Sequence, residues 1–577
     1  MKRFFLSSTF FLSLIILAGL FYRLYAYNEI RQDPVFDTYI PPHDSFYYIR
    51  AVQEFFQPLF SEPVSPYITH KLYQYFLIVL RFLSGNDLNF VRLFQIFLSL
   101  MAIPLIFSIG VRFGASRATG CLCAFFWALS PDLILYDLQI LQLSLLFFLT
   151  LVALYGCLLF QEKPAWLRYF FALFCIFCLG QLRPFYYLLV FFSLYPFFRR
   201  FRNGKWLNLY YLFTVFAISA CLAAFLLYGS KGKKTHMGIH MYFGFNKYTQ
   251  GFYSNIPFIR DNTMGHMQEG VKLSQILSSR YPRCSRLHDF WLQKTFAFII
   301  DNPFIALRLT LMKFYRLFFF RNWNDTFDID YQRSHFRSQK PSSFFYWLLL
   351  CFGMIGFLSQ FLSRPARYSA FFFNVFLFLP VFSVLASCLT IRYQFQLIPV
   401  LCVFAGYGAQ VSYDLFVKDK RRFVFFGMIF LFVSILFFKE EMRRKDRRFY
   451  DGVKFSDYRI RTEMNQEADK AYLPYLEGKR RLSFSELEKI HHQFYYALNT
   501  TDAIGILKTR LKEDVSQDER YWCCIHLAES YEAQDFYEEA ISWYQEAQKI
   551  KHSEEIEEKI RHDRSRYQRS VSPDSYW

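Results

Sequence analysis

Long stretches of this 577-residue chain contain no charged residue at all. The runs 4–22, 368–391 and 393–413 each approach the roughly 20 residues that an α-helix needs to cross the hydrocarbon core of a bilayer. Such runs exclude an ordinary water-soluble domain and predict an all-α polytopic membrane protein. The first run follows Met-Lys-Arg, as in a signal peptide, but no small-x-small cleavage site follows it, so we interpret it as a spanning helix.

The sequence also lacks several motifs of soluble enzymes. It has no glycine-rich phosphate loop, no nucleotide motif and no spacing of His, Cys, Asp and Glu typical of a metal site. Most of the 12 cysteines lie in apolar runs, where a thiol behaves as a small hydrophobic group, as for Cys121, Cys123, Cys175 and Cys178. We therefore predict no nucleotide cofactor and no metal ligands, and leave a divalent cation as an open alternative.

The charge of the chain is strongly one-sided. The formal net charge is +19 and the pI is near 9.3, values that in a soluble protein would indicate nucleic acid binding. Here the basic residues gather in short loops between apolar runs, as the positive-inside bias of membrane proteins predicts. We therefore expect membrane lipid as a partner and no nucleic acid.

The hydropathy pattern predicts about 11 spanning helices, at 4–26, 88–110, 117–136, 138–160, 166–182, 184–198, 207–229, 343–362, 367–390, 393–414 and 422–438. The positive-inside bias places the basic loops, such as 199–205 and 417–422, in the cytoplasm. The long loops 27–87 and 230–342 then lie on the outer face. Their segments 45–56 and 302–320 are amphipathic, and we expect helices in the membrane interface, with helices of a buried soluble domain as the alternative.

The C-terminal part has a different composition, charged and mixed. Residues 521–550 match one tetratricopeptide repeat, with small and aromatic residues at the expected spacings: Leu527, Ala528, Tyr531, Ala540, Tyr544 and Ala547. We predict a transmembrane domain over 1–440, a linker over 441–479, a tetratricopeptide-like helical domain over 480–560 and a disordered tail over 561–577. Such a repeat predicts docking of a protein or peptide partner.

Two stretches of the first outer loop contain candidate site residues. In PPHDSFYYIR, Asp44 precedes Tyr48 by four residues, which places both on one helix face. Asp44 is either an N-cap or a general base for an acceptor hydroxyl, and the two roles are compatible. In SPYITHKLYQYF, His70 and Lys71 precede an apolar helix, and Lys71 either contacts a lipid phosphate or extends to the interface.

Two further stretches lie in or beside later outer loops. GIHMYFGFNKYTQGFY contains Asn246 and Tyr248, and its mixture of aromatic and polar residues suits either sugar binding or a structural loop. In IRYQFQLIP, Arg392 and Tyr393 lie between two apolar runs, and Arg183 in GQLRPF has the same placement. Each guanidinium there either binds a phosphate with two hydrogen bonds or extends to water at the interface.

In this order along the chain, these stretches resemble a known family. PPHDSFYYIRAV, SPYITHKLYQYFLIVLRFLSG, LSPDLILYDLQIL, GQLRP, FGFNKYTQGFYSNIP, DNPFIALRLTLMKFYRLF and RYQFQLIPVLCVFAGYG are similar in order and placement to stretches of the C-fold (GT-C) membrane glycosyltransferases. These are the bacterial relatives of the dolichyl-phosphate-mannose protein mannosyltransferases, and the aminoarabinose transferases form one branch. The resemblance covers about residues 1–440. The chain departs from two branches, because Ser45 replaces the Glu of an Asp-Glu pair and no Pro pair accompanies Lys71.

The resemblance implies a GT-C bundle that transfers a sugar from a polyprenyl-phosphate donor outside the bacterial inner membrane. It implies Asp44 as the catalytic acid-base residue, and Asp137 falls near the second acidic residue of some members. We predict an inverting displacement in which Arg392, helped by Lys71 or Arg183, balances the charge of the leaving phosphate. The alternatives are a transporter or flippase of a lipid-linked or small substrate, and a non-catalytic scaffold that acts through the C-terminal repeat.

Overall fold

The computed structural model consists of helices joined by turns throughout the part of the chain that it describes. That part comprises residues 2–32, 45, 48–49, 52, 71–85, 87–163, 165–193, 237–246, 249, 287–319, 333, 335–361, 364–389, 391–445, 470, 472, 474–475, 481–496, 500–532 and 537–571. Asp44, His70 and Tyr248 lie outside the described residues, as does the predicted span 207–229.

The helices up to residue 445 are α1 (Lys2–Ile30), α2 (Lys71–Ser84), α3 (Leu88–Gly114), α4 (Arg117–Ala128), α5 (Pro131–Asp137), α6 (Leu143–Glu162), α7 (Trp166–Leu182), α8 (Leu189–Phe192), α9 (Met237–Gly244), α10 (Leu287–Asp301), α11 (Pro303–Phe319), α12 (Ser342–Ser359), α13 (Arg364–Ala386), α14 (Ile391–Phe395), α15 (Ile398–Lys418) and α16 (Lys420–Lys445). A 3₁₀ turn, Pro184–Leu188, separates α7 from α8. The C-terminal helices are α17 (Phe484–Tyr496), α18 (Thr500–Arg510), α19 (Gln517–Glu532), α20 (Tyr537–Ile550) and α21 (Glu554–Val571).

The chain forms two compact units. The first comprises residues 1–30, 47–254 and 291–445, and the second comprises 31–46, 255–290 and 446–577. Within the described residues, six helices are long and apolar enough to cross a membrane, and the number rises to eight if two bent helix pairs each count as one span. Large side chains such as Phe82, Leu167 and Phe304 point outward with more than 70% of their surface exposed, as a lipid-facing surface requires. The predicted all-α, polytopic architecture is confirmed.

Three stretches that appear continuous in the hydropathy pattern each form two helices, and a proline begins or nearly begins the second helix of each. The predicted span 117–136 is two helices, α4 and α5, which meet at 55° where Pro131 begins α5. α10 and α11 meet at 107° where Pro303 begins α11. The run 393–414 likewise consists of α14 and α15, with Pro399 in the first turn of α15. Ser130, before Pro131, has the extended conformation that a residue before proline prefers, whereas Ile398 before Pro399 is helical. Pro399 has no N–H to donate to the carbonyl of Phe395, the residue at which α14 ends.

Close helix packing through glycine holds the centre of the first unit. α12 lies so close to α15 that a Cβ atom on Gly356 would come within 1.9 Å of the Phe404 carbonyl oxygen. A Cβ on Gly408 would come within 2.0 Å of the Phe352 carbonyl oxygen, from the opposite side of the contact. Small residues permit such an approach between membrane helices, which associate through van der Waals contact and not through exclusion of water.

A buried ion pair connects four helices of this unit. Arg23 of α1 donates from Nε to the Asp137 carboxylate at 3.1 Å, and neither side chain has more than 2% of its surface exposed. The same guanidinium donates from Nη2 to Ser99 Oγ of α3 at 2.8 Å, and from Nη1 to the Ala128 carbonyl at the end of α4 at 2.8 Å. Arg23 therefore satisfies a helix C-terminus as well as a buried carboxylate.

The C-terminal helices form a core of their own. Five of the six residues that match the repeat pattern are fully buried, all except Tyr531. Tyr472 and Tyr475, which lie in the predicted linker, also belong to this core and pack with residues such as Leu487, Phe494 and Ile506. A reciprocal capping box begins α17, because Glu486 accepts from the Ser483 backbone N–H while Ser483 Oγ accepts from that of Glu486.

The expected disorder of the tail is wrong for residues 561–571. They continue α21, which ends at Val571. Ile556 and Ile560 are one turn apart and are buried among residues of α19 and α20, and Lys559 forms an ion pair with Glu529 at 2.8 Å. This contact fixes the first half of α21, and the charged second half extends from it.

We predict that the buried pair is required for folding. Arg23→Met leaves the Asp137 carboxylate uncompensated, and we expect it to lower the free energy of unfolding by about 3–5 kcal/mol. The double variant Arg23→Met/Asp137→Leu removes both charges and should recover most of that loss. The free energy of unfolding of both variants is measured in detergent, once by heating and once by titration with denaturant.

The matched control for this prediction is the half-exposed pair of Arg112 and Glu162, whose atoms are 3.0 Å apart. Because water screens that pair, Arg112→Met should cost no more than about 1 kcal/mol. Equal losses for Arg23→Met and Arg112→Met would contradict a structural role for the buried pair.

Candidate functional site

A buried polar segment lies at the end of α5. Every residue from Pro131 to Leu146 is buried, although the stretch includes Asp132, Asp137, Gln139 and Gln142. Polar groups at such depth in a membrane protein are costly unless they are paired or bind a ligand. α5 and the turn after it therefore form a buried polar floor, whose carboxylates are paired within the protein.

Hydrogen bonds connect the Tyr48 region to this floor. The Tyr48 ring packs edge-on against Tyr73 of α2, with ring centroids 4.9 Å apart. Tyr73 Oη donates to Gln95 Oε1 of α3 at 3.0 Å. Gln95 Nε2 then donates to the backbone carbonyls of Asp137 at 2.9 Å and Gln139 at 2.7 Å. Tyr48 and Asp137 are thus connected through Tyr73 of α2 and Gln95 of α3.

The carboxylate of Asp137 is held by Arg23 and faces the helix bundle. The structure therefore gives this residue a scaffold role, in which its backbone carbonyl anchors Gln95. Lys71 is the first residue of α2, and the structure describes its backbone alone.

The helix α14 packs against the floor and reaches Arg183. The Tyr136 ring of α5 lies 4.8 Å from the Phe395 ring of α14, measured between centroids. On the same short helix, the Tyr393 ring receives the Arg183 guanidinium, whose carbon lies 5.1 Å from the ring centroid. Two predicted site residues that are distant in sequence are therefore in direct contact. Arg392 is the neighbour of Tyr393 on α14 and is half-buried.

Arg183 is anchored through its backbone and has a buried side-chain N–H without a partner among the described residues. It follows the last residue of α7, and its backbone is anchored by a bond from its N–H to the Leu179 carbonyl at 2.8 Å. Its Nε is buried and has no hydrogen-bond partner in the described part of the chain. A guanidinium stacked on an aromatic ring keeps its N–H edge available to a planar or tetrahedral anion.

A buried lysine fixes the turn that precedes α14. Lys313 of α11 donates its ε-ammonium to the carbonyls of Leu385 at 3.2 Å and Ser387 at 2.6 Å, near the end of α13. Its nitrogen also lies 3.4 Å from the centroid of the Phe245 ring. α11 therefore buries the positive charge of Lys313 and exposes Phe304 and Leu311.

The loop around Asn246 closes on the same turn. Gly244, at the end of α9, is so close to Ser387 that a Cβ atom would come within 1.9 Å of its carbonyl oxygen. The Asn246 side chain is buried, accepts from the Thr249 backbone N–H at 2.9 Å and donates to the Tyr242 carbonyl at 2.8 Å. In this structure Asn246 shapes the loop and holds its aromatic neighbours in place, which agrees with the structural alternative for this stretch.

Two buried glutamines of the QFQ sequence were not identified from the sequence. Gln394 Nε2 donates to Tyr346 Oη at 3.0 Å, and Gln394 Oε1 has no partner among the described residues. Gln396 is 1% exposed, and neither of its amide atoms has a partner in the described part of the chain. Unpaired amides at such depth cost free energy unless a ligand or water bonds to them. In the sequence, the position of Gln394 and Gln396 within four residues of Arg392 was the feature that could have identified them as site candidates.

A second polar cluster holds the start of α12 against α5. Ser342 Oγ donates to the Asp132 carboxylate at 2.7 Å, and Arg333 donates to Ser342 Oγ at 3.2 Å. At the end of α1, the Glu29 carboxylate accepts from the backbone N–H groups of Arg337 and Ser338 at 2.7 and 2.9 Å. Because all of these partners are backbone or buried groups, this cluster is part of the scaffold.

Comparison with known proteins gives likenesses among solved structures. No family model and no curated protein matches the chain. Among solved structures, the chain is similar to an oligosaccharyltransferase of Archaeoglobus fulgidus, crystallised in complex with Zn and sulfate, with 13% sequence identity and a TM-score of 0.35. The match covers 74% of this chain and 52% of the other, so this chain spans about half the length of that protein. The likeness concerns the fold alone.

We predict that the contact at Gly244 tolerates no side chain. Gly244→Ala places a methyl group against the Ser387 carbonyl and the Lys313 ammonium, and we expect a loss of about 1–3 kcal/mol or more in the free energy of unfolding. Gly427→Ala is the matched control, since a Cβ there meets no atom within 4 Å. Unfolding of both variants in detergent checks this, and equal stability would contradict the close approach.

Proposed function

We propose that this protein is a GT-C membrane glycosyltransferase. It transfers a sugar from a polyprenyl-phosphate-linked donor to an acceptor hydroxyl on the outer face of the bacterial inner membrane, with Asp44 as the general base. The sequence resemblance supplies the class of reaction. The single observation that carries the proposal is the contact of Arg183 with Tyr393, the neighbour of Arg392, because the sequence analysis named the two arginines independently as candidate phosphate partners.

The first step of the argument is the recognition of the donor phosphate. The guanidinium of Arg183 lies over the ring of Tyr393. Arg392 directly precedes Tyr393 on α14. Arginine binds phosphate through two parallel N–H groups, and the interaction is strong where little water is present. The two guanidinium groups would stabilise the charge that develops on the leaving phosphate.

The second step concerns the sugar. Hydroxyl groups require partners that both donate and accept, and an amide provides one of each. The buried amide of Gln396 and the Oε1 of Gln394, which lie directly after and on the helix α14 that contains Arg392, would supply such groups. Tyr248, which lies outside the described residues, would stack on the sugar ring.

The third step is the displacement itself. The acceptor oxygen attacks the anomeric carbon from the face opposite the phosphate, a carbon–oxygen bond forms to the acceptor, and the bond to the phosphate oxygen breaks with its electron pair. The hydroxyl proton passes to the Asp44 carboxylate, and polyprenyl phosphate leaves. The configuration at the anomeric carbon is thereby inverted. Asp44 precedes Tyr48 by one helical turn in sequence, and Tyr48 is fixed by Tyr73.

We predict that Asp44→Asn abolishes most of the transfer. Removal of a general base costs typically about 10²–10⁴ in rate, and an asparagine can still cap a helix. The assay follows transfer of labelled sugar from a polyprenyl-phosphate donor by the chain in proteoliposomes, at matched protein levels.

The control for Asp44→Asn is Asp87→Asn. Asp87 caps α3, and its carboxylate accepts from the Asn89 backbone N–H at 2.8 Å. Asparagine caps equally well, so this variant should transfer sugar at the rate of the unmodified chain. Undiminished transfer by Asp44→Asn would remove the catalytic role, and accumulation of the donor in vesicles without covalent transfer would favour a transporter.

We predict a donor-specific defect for Arg183→Gln. Loss of a charged hydrogen bond to phosphate should raise KM for the donor about 10-fold or more, while KM for the acceptor stays within about twofold. Arg168→Gln is the control, because Arg168 bonds to the Leu159 carbonyl at 3.1 Å at the other end of α7. Equal effects of the two variants on the donor KM would contradict phosphate recognition by Arg183.

A further inference from the structure

A buried arginine of the first unit has no carboxylate partner among the described residues. Arg81 lies in the last turn of α2, and 7% of its surface is exposed. Its Nη1 donates to the Ile49 carbonyl at a long 3.5 Å, and its buried Nε has no hydrogen-bond partner in the described part of the chain. A guanidinium that water barely reaches costs free energy unless an opposite charge compensates it.

Other buried arginines of this unit have a compensating carboxylate. Arg23 forms an ion pair with Asp137 at 3.1 Å, and Arg333 lies 3.8 Å from the Asp132 carboxylate. Arginine stays charged even when it is buried, so Arg81 cannot escape the cost by losing its proton. We therefore expect the compensating charge at Arg81 to come from a ligand.

α2 and α3 form an antiparallel hairpin beside this arginine. Phe76 of α2 packs against Phe94 of α3, with ring centroids 5.8 Å apart. The chain reverses direction in the three residues between the helices, where Ser84 Oγ donates to the Asp87 carbonyl at 3.3 Å. Because the end of α2 adjoins the beginning of α3, residues one turn away from the reversal on either helix lie at about the same level.

A second buried arginine lies at that level. Arg92 of α3 is 1% exposed, and its Nη1 donates to Asn89 Oδ1 at 2.9 Å. With a rise of 1.5 Å per residue, Arg81 lies about 5 Å before the end of α2 and Arg92 about 6 Å after the start of α3. The Asp87 carboxylate caps α3 by accepting from the Asn89 backbone N–H. The hairpin therefore contains two buried positive charges at one depth.

The depth of the two arginines matches that of lipid headgroups. α3 has 27 residues and so a length of about 40 Å, close to the thickness of a bilayer with its headgroups included. The positive-inside bias places the start of α3 at the outer face. Arg92 and Arg81, which lie only about 5–6 Å from that end, then share the layer that contains the lipid phosphates.

The outward face of α2 gives a lipid access to this layer. Tyr75, Val79, Phe82 and Leu83 each have more than half of their surface exposed. In a membrane such a face contacts acyl chains. A lipid that lies along this face has its phosphate at the end of α2, within about one helical turn of Arg81.

We propose that Arg81, with Arg92 at the same depth, binds the phosphate of an anionic membrane lipid at the α2–α3 hairpin. Arginine pairs with phosphate through two parallel N–H groups, and the absence of water strengthens the contact. Binding of this lipid is independent of sugar transfer. The sequence alone does not single out Arg81, because an arginine near the end of an apolar helix ordinarily extends to water.

The experiment titrates the full chain, delipidated in a neutral detergent, with phosphatidic acid, and native mass spectrometry counts the bound lipid. We expect one tightly bound phosphatidic acid, with its affinity reduced about tenfold or more in Arg81→Gln. Arg112→Gln is the matched control, because Arg112 lies at the opposite end of α3 and pairs with Glu162 at 3.0 Å. Equal affinities of the two variants, or equal binding of phosphatidylcholine by the unmodified chain, would overturn the proposal.

Thermal unfolding distinguishes a ligand site from a structural contact. Removal of an uncompensated buried charge relieves a cost, so Arg81→Leu without lipid should unfold at or above the temperature of the unmodified chain, unlike Arg23→Met. Phosphatidic acid should raise the unfolding temperature of the unmodified chain and leave that of Arg81→Leu unchanged. A lower unfolding temperature of lipid-free Arg81→Leu would show that Arg81 is compensated within the protein, and would overturn the proposal.

Competition identifies the source of the phosphate. Displacement of phosphatidic acid by polyprenyl phosphate would support the proposal and assign the site to the carrier lipid of the donor. Displacement by inorganic phosphate at the same concentration would assign the site to a free anion and overturn the proposal. Because these measurements follow lipid binding and not sugar transfer, their outcome is separate from that of the proposed glycosyltransferase activity.

Discussion

The buried contact between Arg23 and Asp137 is the interaction on which the first unit depends. One guanidinium binds a carboxylate, a hydroxyl and the C-terminus of α4, and so connects α1, α3, α4 and α5 in a region that holds almost no water. Each partner is costly there without the other. Because the pair fixes the end of α5, it also fixes the carbonyl of Asp137 to which Gln95 bonds, and through Gln95 the position of Tyr73 and Tyr48.

The candidate site follows from two further constraints on the chain around α14. Lys313 donates hydrogen bonds to the carbonyls near the end of α13. Because Gly244 has no side chain, the loop around Asn246 can approach the same turn. α14 then starts in a fixed position, with Tyr393 against Arg183 and Phe395 against Tyr136. Arg183 and α14 are therefore held by backbone carbonyls and ring contacts.

Much of this architecture could be predicted from the sequence. The long uncharged runs determine the apolar helices, and the order of the weak motifs suggested that Arg183 and Arg392 share a site. A hydropathy average over a window hides single residues, and three helix breaks were therefore missed. They lie at Pro131, Pro303 and Pro399, although each proline is visible in the sequence. The burial of Lys313 and the pairing of Arg23 could not be predicted, because both depend on which distant carbonyl or carboxylate the fold brings to a charged group. The helical part of the tail depends in the same way on the contact of Ile556 and Ile560 with α19 and α20.

The central claim is that the four stretches form one donor site. The most direct measurement is an experimental structure of the chain in a lipid nanodisc with a non-hydrolysable polyprenyl-phosphonate sugar. We predict that the phosphorus atom lies between the guanidinium groups of Arg183 and Arg392, with the sugar against Gln396 and the Asp44 carboxylate on the opposite side of the anomeric carbon. A phosphorus position away from both arginines, or an Asp44 carboxylate more than about 20 Å from it, beyond a pocket of ordinary size, would contradict the account.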